Sequence, residues 1–99
     1  MELANKIALV TGGTKGIGAS TAIAFARKGA DVAILGRHDD EDAASVKAAV
    51  EREGRRCVMI VADMGVPDDA TRAVETTVKE LGGIDVLFHN AGGPAPGDL

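Results

Sequence analysis

The chain contains no tryptophan and no tyrosine, two phenylalanines and a single cysteine among its 99 residues. One cysteine excludes an intramolecular disulfide. Cys57 heads the apolar run CVMIVA, where a buried, inert thiol in a reducing compartment is expected. The absence of tyrosine removes one of the common proton donors of enzyme active sites. Positive charge is also scarce: 11 Lys and Arg against 15 Asp and Glu leave a formal charge of −4. That balance argues against a protein that grips nucleic acid by neutralising phosphates. The start, MELANKIALV, is interrupted by Glu2 and Lys6 and is too short in apolar residues for a signal-peptide core or a membrane span. Cytoplasmic residence is therefore expected, with neither nucleic acid nor membrane as partner. No Asp, Glu, His or Cys grouping has metal-ligand spacing. The basic stretch EREGRRC, with Arg52, Arg55 and Arg56, reads as a solvated helix end.

Hydrophobic residues at 45% and charged residues at 26% match an ordinary globular domain, and the length suits one domain or part of one. Four short continuous apolar runs stand out: KIALV (Lys6–Val10), DVAIL (Asp31–Leu35), CVMIVA (Cys57–Ala62) and DVLFH (Asp85–His89). Such runs suit strands covered on both faces of a parallel sheet. Three helical stretches lie between them. GASTAIAFARKG is Ala-rich and closes at Gly29; EDAASVKAAVEREG repeats Ala43, Val46 and Val50 and closes at Gly54. PDDATRAVETTVKELGG opens with Pro67 and two aspartates, places Val74, Val78 and Leu81 on one face, and closes at Gly82. Strict strand–helix alternation predicts a doubly wound α/β fold with a parallel sheet and helices on both faces.

In that architecture the first strand-to-helix turn is the natural phosphate site, and here it is LVTGGTKGIGAS. A Walker-type loop fails because Lys15 is followed by Gly16, not by Ser or Thr; G-x-G-x-x-G fails because Thr21 stands where the third glycine belongs. The spacing is G-x-x-x-G-x-G. With Thr11 before it, TGGTKGIG resembles the T-G-x-x-x-G-x-G signature of the classical short-chain dehydrogenases/reductases, matching at Thr11, Gly12, Gly16 and Gly18. Asp63 in VADM and the sequence Asn90, Ala91, Gly92 fall in the order and at the strand ends the family requires. One departure is His89, where the family often has a first Asn. The resemblance covers the whole chain and implies that residues 1–99 are the amino-terminal, cofactor-binding half of one Rossmann-type domain, truncated after the fourth strand.

Carried over by position, the resemblance implies that Gly12, Gly16 and Gly18 shape a pyrophosphate site, with Thr14, Lys15 and Ile17 in the same turn. It further implies that the Asp63 carboxylate, next to Met64, meets the adenine amino group, and that Asn90–Gly92 lie beside the cofactor ribose. At the end of the second strand, where an acidic residue selects NAD, Gly36 is followed by Arg37. Arg37 and Lys15 suit a 2′-phosphate, so NADP(H) is expected over NAD(H). The acidic run Asp39, Asp40, Glu41 and Asp42 is expected to cap a helix and to compete for Arg37. Family chemistry implies hydride transfer with a small carbonyl or alcohol substrate, using a tyrosine, a lysine and a serine. None is placed here: tyrosine is absent, and Ser20 and Ser45 sit on predicted helices. No catalytic residue is therefore assigned, and the chain alone is expected to be inactive. The alternative is a nucleotide-binding module without chemistry. Homo-oligomerisation, or association through an exposed fourth strand, is the expected assembly.

Overall fold

The computed structural model describes residues 2–90. Ala91 and Gly92, expected beside a ribose, lie outside the described residues. Seven elements alternate: β1 (Ile7–Thr11), α1 (Gly16–Arg27), β2 (Asp31–Gly36), α2 (Glu41–Arg52), β3 (Cys57–Val61), α3 (Pro67–Leu81) and β4 (Val86–His89). All pairings are parallel and the strand order is β3-β2-β1-β4. The chain thus steps outward from β1 to β3 and then returns to the other side of β1, so the order reverses between β1 and β4. This is the doubly wound Rossmann-type arrangement that the strand–helix alternation predicts.

Side chains alternate across the sheet. Val10, Val32 and Ile34 face one way and pack with Ala22, Ala26, Val46 and Val50 of α1 and α2. Leu9, Ala33, Leu35 and Ile60 face the other way and meet Ala73 and Leu81 of α3. Each fully buried branched side chain in this core contributes about 2 kcal/mol. The alanines matter for another reason: Gly18, Ala22 and Ala26 recur every fourth residue on α1 and let the helix lie close to the sheet.

On α3 the expected face is corrected by one residue. Ala73, Thr77 and Leu81 are buried, whereas Val74 and Val78 are nearly half exposed. Thr77 is tolerated inside because its hydroxyl donates to the Ala73 carbonyl. Cys57 is buried as expected, and burial pushes its thiol up to about 12. β4 forms one edge of the described sheet, with Leu87 61% exposed.

The amino ends of the strands are fastened by one buried carboxylate. Asp31, 6% exposed, accepts from the Arg56 backbone N–H at 3.0 Å and from Arg56 Nε and Nη2 at 3.0 and 2.9 Å, and Arg55 Nη2 lies 3.0 Å from its other oxygen. Arg56 also donates to the Leu81 carbonyl, joining β2, β3 and the end of α3. Burial alone raises the Asp31 carboxyl, but the Arg56 hydrogen bonds and the two guanidinium charges outweigh it and hold the group below its usual range. Asp31→Asn is expected to cost about 2 kcal/mol at neutral pH. Because the folded pKa lies below the unfolded one, this stabilisation is full above the unfolded value near 3.9 and fades as pH falls through the folded value. Urea midpoints of wild type and variant should therefore converge in strong acid; an undiminished gap there contradicts the assignment.

Candidate functional site

At the carboxyl ends of the strands the chain leaves a cleft of ≈ 680 Å³, within the usual range of ligand sites. One wall is the β1–α1 turn. Gly12 and Gly16 have φ of +63° and +55°, a region costly for other residues, and α1 begins at Gly16. A Cβ on Gly18 would stand 1.9 Å from the Gly12 carbonyl oxygen, so the turn closes on itself through bare backbone. A Cβ on Gly16 would meet nothing within 4 Å. The two glycines therefore serve different ends, one for internal packing and one for open approach.

The start of α1 also differs electrically from the other two helices. α2 has Asp40 accepting from the Ala43 N–H, with Glu41 and Asp42 behind it, and α3 has Asp68 and Asp69. α1 has no acidic residue in its first turn and no capping side chain; its cap position is Lys15. Its first N–H groups and its dipole thus face the cleft with a cation alongside, a combination that suits a phosphate.

The β1–β4 junction forms the floor. The Thr11 hydroxyl accepts the Asn90 N–H at 2.9 Å and lies 3.3 Å from the Asn90 carbonyl and 3.2 Å from His89 Nδ1. His89 thus keeps a hydrogen-bonding role at the position where the sequence departs from the family pattern. The Asn90 amide packs against Gly12 and Gly18, 3.1 Å from where a Cβ on either would sit.

The opposite wall comes from the ends of β2 and β3. Gly36 carries no side chain, and Thr14 tucks against it: a Cβ there would lie 3.0 Å from the Thr14 methyl. Arg37 reaches to 4.0 Å from Asp63, whose carboxylate accepts the Gly65 N–H at 2.8 Å. Lys15 Nζ lies 3.6 Å from Asp42. The acidic run therefore engages Lys15, not Arg37 as expected; Arg37 turns instead to the end of β3. The Ala43 N–H bond first, and the Lys15 charge, hold the Asp40 carboxyl below its usual range.

Of the expected residues, Thr11, Gly12, Thr14, Lys15, Gly16, Ile17, Arg37, Asp63, Met64 and Asn90 all line the cleft, while Gly18 supports it from beneath. Ile17 is 71% exposed, an apolar side chain held at the mouth. His38, Asp40 and Gly65 line it too without having been expected there. Gly13 is a further constrained position, one that the glycine spacing does not signal. A Cβ on it would meet Ile34 at 2.9 Å and the Val10 carbonyl at 3.0 Å, so the second glycine of the GG pair lets the turn after β1 run close against β2, where its N–H donates to the Leu35 carbonyl at 3.1 Å. Among the described residues no group of three His, Cys, Asp or Glu is placed to hold a metal, and no helix is long and apolar enough to cross a membrane.

Gly18→Ala is expected to destabilise the fold by about 3 kcal/mol, because its methyl meets backbone that cannot rotate away. Gly54→Ala, also at positive φ (+81°) but with nothing within 4 Å, should cost only about 1 kcal/mol. Paired thermal and urea unfolding checks this; equal losses would mean that the Gly12–Gly18 contact does not constrain the turn.

Comparison with known proteins agrees with this geometry. The profile of the short chain dehydrogenase family matches residues 6–99. General stress protein 39 of Bacillus subtilis (strain 168) is 47% identical over 95 residues, which cover 96% of this chain and 33% of that protein. Among solved structures, a short chain dehydrogenase from Burkholderia cenocepacia J2315 in complex with NADP superposes with a TM-score of 0.85 at 44% identity, covering 88% of this chain and 36% of that one. NAD+-bound xylitol dehydrogenase gives a TM-score of 0.88 at 31% identity, covering 94% and 35%. The chain spans about a third of the length of the relatives it matches. By profile, by sequence and by fold, this chain belongs to the short chain dehydrogenase family.

Proposed function

We propose that the protein is an NADP(H)-dependent oxidoreductase that exchanges hydride with a small carbonyl or alcohol substrate, and that residues 1–99 supply dinucleotide-binding residues of it. The observation that carries this reading is the pairing of an uncapped α1 start with two cations, Lys15 and Arg37, on one cleft whose β2 end bears Gly36 in place of a carboxylate. When bound, the nicotinamide supplies the hydride chemistry. The chain's own part is binding and orientation: N–H groups at the head of α1 receive the pyrophosphate, and Thr11 holds Asn90 in place beneath. Asp63 accepts from the adenine amino group, and Lys15 and Arg37 receive the 2′-phosphate. An acidic side chain at Gly36 would oppose that phosphate; here there is none.

These residues bind and orient, and proton transfer to the carbonyl oxygen is assigned to none of them. The alternative reading is nucleotide binding without turnover, which NADPH oxidation by the whole protein with a panel of simple carbonyls would exclude.

Arg37→Ala and Lys15→Ala are each expected to weaken NADPH binding about tenfold, the worth of a charge-assisted contact, and to leave NADH binding nearly unchanged. Fluorescence titration measures both. Tighter binding of NADH than NADPH by the wild type would reject the NADP(H) assignment.

A further inference from the structure

Neither cation on the cleft stands alone. Arg37 faces Asp63 at 4.0 Å, and Lys15 faces Asp42 at 3.6 Å across the mouth between the glycine turn and α2. The three carboxylates near these cations are not equivalent. Asp63 is tied to the Gly65 N–H, and Asp40 caps α2 through the Ala43 N–H. For the Asp42 carboxylate, Lys15 is the contact that the described residues provide. Its other conceivable duty, complementing the α2 dipole, is shared with Glu41 in the same turn. Asp42 is thus placed where its main effect falls on a cation of the cleft.

We propose that Asp42 is a cofactor-specificity residue: it acts as an internal counter-ion for Lys15, so that binding a 2′-phosphate exchanges one anion for another and the preference for the phosphorylated dinucleotide is narrowed. This rests on the reading above that Lys15 receives the 2′-phosphate. A phosphate monoester brings a charge of about −1.5 to −2 at neutral pH. Lys15 has to leave Asp42 or share it, and a carboxylate that stays nearby repels the incoming group. A dinucleotide without the phosphate makes no such demand. Both side chains are more than half exposed, which limits the effect to roughly fivefold at low salt. The effect should shrink at about 1 M salt, where the Debye length is about 3 Å.

The test is titration of the purified protein with NADPH and NADH at low and high salt, comparing wild type, Asp42→Asn, Lys15→Ala and, as a same-helix charge control, Glu41→Gln. Asp42→Asn is expected to tighten NADPH binding about fivefold at low salt, to leave NADH unchanged, and to lose most of its advantage at high salt. Glu41→Gln should shift NADPH binding by less than half as much. If Asp42→Asn leaves NADPH binding unaltered, or if Glu41→Gln tightens it equally, the counter-ion role is wrong. Lys15→Ala separates the two levels. Unchanged NADPH affinity in that variant rejects the 2′-phosphate reading itself, whereas weakened affinity together with a neutral Asp42→Asn rejects only the role of Asp42. Melting curves accompany each variant, and Asp42→Ser, which keeps a helix-start residue, repeats the test should Asn perturb folding.

Discussion

Everything at the carboxyl ends of the strands depends on one approach of backbone to backbone, where the Gly12 carbonyl lies against Gly18 with no room for a methyl between them. It sets where α1 starts and therefore where its uncapped N–H groups point. It also leaves the slot that the Asn90 amide fills, so that the end of β4 is drawn to the same turn. Thr11 completes the junction from below through its bond with the Asn90 N–H. A cleft built this way owes its shape to what is absent from the glycines as much as to what the other residues present.

The two ends of the sheet handle charge in opposite ways. At the amino ends, Asp31 is buried under two arginines and satisfied by several donors, an arrangement that has no reason to rearrange. At the carboxyl ends the ion pairs of Lys15 and Arg37 are longer, at 3.6 and 4.0 Å, and open to water. Fixed pairs stabilise a fold; loose pairs at a cleft mouth can be traded for a ligand. The same residue types thus do structural work at one edge and leave binding capacity at the other, and burial decides which.

Much of this was legible in the sequence because period and punctuation agree. Four apolar runs became four parallel strands, and Gly29, Gly54 and Gly82 follow the three helices with positive φ. The site residues that could be read were those in the glycine turn and at strand ends, where topology dictates position. What could not be read depends on side-chain direction in three dimensions. The α3 face is displaced by one residue because small Ala73 and Thr77, not the larger valines, fit against the sheet. The partner of Lys15 lies 27 positions along the chain, on a different helix, and no local spacing signals it. Gly13 hides beside Gly12, since its necessity comes from Ile34 on the neighbouring strand. His38, Asp40 and Gly65 enter the cleft from connections whose paths no periodicity describes.

Cys57 carries a practical consequence. Buried in the same apolar cluster as Val32 and Val50, with its pKa pushed up to about 12, it stays a neutral thiol at pH 7. Mild oxidants and alkylating reagents therefore have almost nothing to attack while β3 stays in the sheet. Labelling of this thiol therefore requires β3 to separate from α2, and a ligand held at the far end of the same strand, where Ala62 and Asp63 line the cleft, slows it.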